Sequence, residues 1–162
     1  MVVQLVLMYS STGLQKVSTH WVPGGDMAAL YYIMQQPSWQ RFDLSWTAWV
    51  HPLTQLATLG TWLWEVGSPV LLLAFWYRRT RGGGGWLRAT LNRIDARSLF
   101  ALFGALVHAG IHALMDVGPF SYVSIALYPA LFSPDELRQW RTARIGLPLL
   151  WCVMVISGVL GG

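Results

Sequence analysis

SLFALFGALVHAGIHAL, residues Ser98–Leu114, carries no formal charge over its whole length, and only Ser98, His108 and His112 interrupt it with polar side chains. A helix in water shows a polar face, and this stretch has none wide enough. A bilayer-spanning helix needs about 20 mainly apolar residues, fewer when polar flanks sit at the interface. The stretch therefore reads as a membrane span. That reading sets the fold class for the rest of the chain.

Four other segments approach the same pattern: Met1–Gln15, Leu59–Tyr77, Phe120–Phe132 and Ile145–Leu160. The expected fold is all-α, a polytopic helical membrane protein with about five transmembrane segments. An additional interfacial or re-entrant helix is expected over Leu44–Ala57, interrupted at His51-Pro52. Composition agrees, with 54% hydrophobic residues, 11% charged residues and 10 tryptophans. A soluble domain carries about 25% charged residues, enough to cover a wetted surface. The whole chain, residues 1–162, reads as a single transmembrane domain.

The basic residues orient it. Arg78, Arg79, Arg81, Arg88, Arg93 and Arg97 lie between the second and third segments, and Arg138, Arg141 and Arg144 between the fourth and fifth. Cytoplasmic loops collect Lys and Arg. With both loops inside, five crossings alternate, the N-terminus is cytoplasmic, and Lys16 and Arg41 are left on the far side. Basic nucleic-acid binders spread their charge along an exposed face. Clustering between apolar runs points away from nucleic acid despite a net charge of +4. The lone Cys152 offers neither a disulfide nor a redox pair. Met1–Leu14 has no basic start or small-residue cleavage site, so no cleavable signal is expected there.

Ionisable groups at membrane depth are costly and usually face a partner or a cavity. Glu65 falls within the second segment. His108 and His112 are four residues apart, hence on one helical face, with Asp116 four further on. The two histidines read as hydrogen-bonded ties between helices, or as a metal pair for which no third ligand is evident; no metal is assigned. Lys16 closes the first segment. It reads either as a snorkelling lysine or as an amine that desolvation turns into a base. Trp21 belongs to an aromatic belt with Tyr31, Tyr32, Trp39, Trp46 and Trp49.

The stretch from Tyr9 through Gly13-Leu14-Gln15-Lys16, followed by His20-Trp21-Val22-Pro23-Gly24-Gly25, resembles the Gly-Leu-x-Lys…Trp-x-x-Gly pattern of the vitamin K-dependent γ-glutamyl carboxylase and its HTTM (horizontally transferred transmembrane) relatives. Glu65 to Pro69, Val107-His108, and Gly118-Pro119-Phe120-Ser121-Tyr122 through Leu131-Phe132 follow in the family's order. Relative to that family the chain looks N-terminally shortened, similar to the C-terminal half of an HTTM domain. The resemblance implies Lys16 as a base on a vitamin K-type hydroquinone, with His108 in support. Trp21, Glu65 and His112, the last outside the family's pattern, are expected around bound substrate or lipid.

Two functions are expected from this. The first is a scaffold or accessory subunit of a larger complex in a bacterial inner membrane, in contact with membrane lipids and other integral subunits, and binding lipid or quinone. The alternative is a carboxylase-like enzyme that uses Lys16 on a quinol.

Overall fold

A computed structural model describes residues 2–80 and 82–142, 72% of it helix and, among the described residues, with no strand. The first helix, α1 (Val2–Gln15), packs against α3 (His51–Val66), and a short α2 (Ala29–Met34) lies against α3 nearer its start. A 3₁₀ turn, Ser45–Val50, leads into α3. The bundle continues with α4 (Val70–Arg79), α5 (Trp86–Ile94), α6 (Ala96–Leu114) and α7 (Phe120–Leu127), then a 3₁₀ turn over Tyr128–Leu131 and α8 (Pro134–Thr142).

The interior is small. Leu5, Val6 and Tyr9 of α1 meet Leu71 of α4, Phe100 of α6, and Ile125, Tyr128 and Leu131. The Trp64 ring stacks on Phe100 with centroids 4.8 Å apart and donates its indole N–H to the Phe100 carbonyl. A second cluster, Met34, Leu44 and Met115, seats the long connection between α1 and α3 on the end of α6. There Gln40 and Met115 form an isolated antiparallel bridge.

In α3, α6 and α7 many side chains are distributed the wrong way round for water. The inward stripe of α3 is Thr54, Thr58, Thr61 and Glu65, at spacings of four, three and four. Its leucines Leu53, Leu56 and Leu63 point out. In α6 Arg97, His108 and His112 are buried, whereas Leu99, Leu102, Phe103 and Leu106 are exposed. Ser121 and Ser124 of α7 face in, and Phe120 and Val123 face out.

Five crossings are not what the described residues form. Among the described residues only α6 is long and apolar enough to cross a membrane, and two spans result if the bent pair Ser45–Val66 and Val70–Arg79 counts as one. The reasons are local. With 14 residues α1 reaches about 21 Å at 1.5 Å per residue, against a hydrocarbon core of about 30 Å. The apolar run Phe120–Leu131 is shorter still. Leu59–Tyr77 is not continuous: it breaks at Gly67-Ser68-Pro69, where Pro69 supplies no N–H, and the axis turns by 50°. Ile145–Leu160, Arg144 and Cys152 lie outside the described residues.

Two smaller expectations also change. Pro52 does not interrupt a helix but starts one, as a proline in the first turn of α3, where a missing N–H costs nothing. Asp116 does not extend the helical face of His108 and His112. Helix α6 stops at Leu114, Met115 is extended, and the Asp116 N–H donates to the Trp39 carbonyl.

Candidate functional site

Lys16 follows directly on α1, its N–H bonded to the Gly13 carbonyl. Gly13 brings the end of α1 hard against α3, because a Cβ there would lie 2.8 Å from both Glu65 Cβ and the Val66 nitrogen. The two charges consequently meet. Lys16 Nζ donates to Glu65 Oε2 at 2.5 Å, with side-chain exposures of 18% and 8%. The Trp21 ring covers the ammonium at 4.1 Å from its centroid, a contact that stabilises a cation through the ring quadrupole. Three of the five residues singled out from sequence, Lys16, Trp21 and Glu65, thus form one cluster.

His108 belongs to a neighbouring set. Tyr9 Oη lies 3.1 Å from His108 Nε2 and 2.8 Å from Tyr128 Oη, and Ser124 is a further hydrogen-bond partner. His108 Nδ1 and Ser121 Oγ are buried with no partner among the described residues. The rings of Trp64, Phe120 and Tyr128 surround the imidazole. Tyr9 stands on α1, seven residues before Lys16, and is buried in the core that α1 forms with α4 and α6. Sequence reading passed over Tyr9 and Tyr128. The spacing from Lys16 was the available signal for Tyr9, and nothing local marks Tyr128.

His112 has other company, one turn beyond His108. Its Nδ1 lies 3.3 Å from Arg41 Nη2 and its Nε2 lies 2.7 Å from Tyr122 Oη. Arginine only donates, so Nδ1 accepts, and a neutral ring then donates from Nε2 to the phenol oxygen. Arg41 Nε also donates to the Met115 carbonyl, pinning the connection between α1 and α3 onto the end of α6. This is a fastening between elements. Among the described residues no three His, Cys, Asp or Glu side chains converge as a metal site.

A fourth polar group, which the arginine count had read only as loop charge, lies at the opposite end of α6. Arg97 is buried and bonds Asp95 at 2.9 Å through Nε, Glu136 at 2.7 Å through Nη2, and the Leu131 carbonyl. Arg78 of α4 reaches the same Glu136 at 3.0 Å and Asp95 at 3.6 Å. The Arg97 hydrogen bond, against the opposing effect of burial, holds Glu136 down at about 2. Burial works against the Asp95 charge too, but the Arg97 hydrogen bond and the charges of Arg97 and Arg78 outweigh it and keep that carboxyl below its usual range. Asp95 makes the corner itself: it ends α5 and precedes α6 at φ 45°, a left-handed conformation that aspartate tolerates better than most residues.

Beside this clamp an open apolar groove of ≈ 250 Å³ runs between α3, α4 and α6, lined by Leu63, Trp64, Val70, Leu71, Leu99 and Phe100. Neither Lys16 nor His108 lines it. No family model, curated protein or solved structure matches this chain.

Proposed function

We propose that this chain is a membrane-embedded scaffold or accessory subunit of a larger membrane complex, a relative of the HTTM domains, whose apolar groove accepts the chain of a lipid or quinone. The inverted distribution of side chains carries the reading. Backbone and polar groups must be satisfied internally when the solvent is hydrocarbon, and here Thr54, Thr58, Glu65, Ser68, Arg97 and His108 are buried while Leu53, Leu56, Leu63, Leu99, Leu102 and Leu106 face out. Helices in lipid also approach through small residues, as α1 and α3 do at Gly13. In this reading α6 runs from the arginine-rich side, the cytoplasm of a bacterial inner membrane, to the far side at Leu114.

The same geometry favours a structural role for Lys16. Its ammonium donates to Glu65 and lies under Trp21, so the nitrogen is engaged in a pair instead of presenting a lone pair to a substrate. A carboxylase-like enzyme using Lys16 on a quinol is the second reading. It is favoured by two buried polar sets at this end of the bundle, Lys16 with Glu65 and Tyr9 with His108.

Purification of the tagged chain from native membranes in mild detergent tests the choice. The scaffold reading expects a partner in fixed stoichiometry, retained when Lys16→Met and Glu65→Leu are combined. Quinol-dependent turnover that disappears in Lys16→Ala, with expression intact, would establish the enzyme instead.

A further inference from the structure

We propose that α5 is a docking helix for an anionic bilayer surface, with Trp86, Leu87 and Ile94 entering the boundary between headgroups and acyl chains and with Arg79 and Arg93 on lipid phosphates. The inference rests on the membrane reading above and adds a lipid class and a place.

Helix α5 buries none of its nine residues. At 100° per residue Trp86, Leu87 and Ile94 fall within one face, and they are 79%, 40% and 50% exposed. Trp76, near the end of α4, is exposed as well. The polar side of α5 is the one turned inward. Arg88 lies over the Tyr77 ring at 4.8 Å and the Trp76 ring at 5.5 Å, and donates to the Thr80 carbonyl and hydroxyl. A short helix that packs an arginine against its neighbour and shows tryptophan, leucine and isoleucine outward has the face of an interfacial helix.

Charge selects the occupant. Asp95 and Glu136 face Arg97 and Arg78, so the acidic groups of this end are already engaged. Arg79 and Arg93 have no acidic partner among the described residues. The open charge beside the apolar face is therefore positive, complementary to phosphate. Position agrees too, because Asp95 alone separates α5 from α6, the helix long enough to span. That corner sets α5 at the level where a spanning helix meets the headgroups. Each arginine near an anionic surface favours docking by about fivefold.

The full chain, carrying Cys152→Ser and a polarity-sensitive dye on Thr90→Cys, is placed in nanodiscs of phosphatidylcholine alone or mixed equally with phosphatidylglycerol. Thr90 lies on the exposed face between Trp86 and Ile94 and bonds only within its own helix. The expected result is blue-shifted emission, quenched by nitroxide lipids, in the anionic discs. The docked-to-undocked ratio should fall about fivefold in Arg79→Gln and about fivefold again with Arg93→Gln. Salt should lower it in the unsubstituted chain, a readout that needs no arginine variant to fold. Water-like emission in both discs, equal docking in both, or a blue shift without quenching would overturn the proposal. Failure of the membrane reading shows separately, as release of the native chain from membranes by alkaline carbonate.

Discussion

Glu65 holds a negative charge inside a bundle whose only cation within reach of that carboxylate, among the described residues, is Lys16 at 2.5 Å. Removing one member of such a pair leaves an uncompensated charge, whereas replacing both with apolar groups of similar volume is close to neutral. Lys16→Ala should therefore destabilise the protein by about 3 kcal/mol. The double variant Lys16→Met/Glu65→Leu should recover most of that loss, as read by thermal unfolding in detergent. A double variant no better than the single would show that the pair contributes more than charge balance. Tyr9 is the other residue that matters out of proportion to its sequence signal. Tyr9→Phe removes hydrogen bonds to His108 and Tyr128 together and should cost about 2 kcal/mol, since two buried polar atoms lose a partner. Tyr128→Phe, which leaves Tyr9 its bond to His108, should cost less.

Among elements, the tightest joints are made by absent side chains. A Cβ on Gly13 would meet the α3 backbone at Val66, which has nowhere to go. One on Gly104 would collide with the Tyr128 hydroxyl and the Trp64 ring. Gly13→Ala and Gly104→Ala should each lower stability by about 2 kcal/mol through overpacking, and Gly104→Ala should also disturb the Tyr9–Tyr128 bond. At the other end α8 is held by charge. Because Asp95 and Glu136 have folded values below their ordinary ones, the clamp contributes its stability above about pH 5. That contribution is lost as pH falls toward about 2. Glu136→Gln should cost about 2 kcal/mol at neutral pH and flatten the acid limb of an unfolding profile; an unchanged limb would mean the clamp does not couple to folding. The apolar run Ser98–Leu114 was enough to find α6, and the segment read from Phe120 placed the start of α7. The break at Pro69 and the start at Pro52 were harder. A proline's effect depends on where the preceding helix has already ended, and tertiary packing decides that.

For the molecule as a whole, local composition misled the count of spans. Apolar content says how much hydrocarbon-like surface exists, and it says nothing about which helices are long enough to use it. The cluster of Lys16, Trp21 and Glu65 was partly legible, because charges inside apolar runs must find partners. The separation of His112 from His108 was not, since Arg41 and Tyr122 reach His112 from elements distant in sequence. If the exterior is lipid-facing, alkaline carbonate should leave the chain in the membrane pellet, and quantitative release would contradict the inverted packing. Asp95 sets one further constraint. A joint one residue long, locked by Arg97 and Ser98, behaves as a rigid bracket. If α6 spans a bilayer and α5 docks on its surface as proposed, a thinner membrane requires α6 to lean and the bracket to swing α5 with it. The pose of α5 would then be a gauge of bilayer thickness.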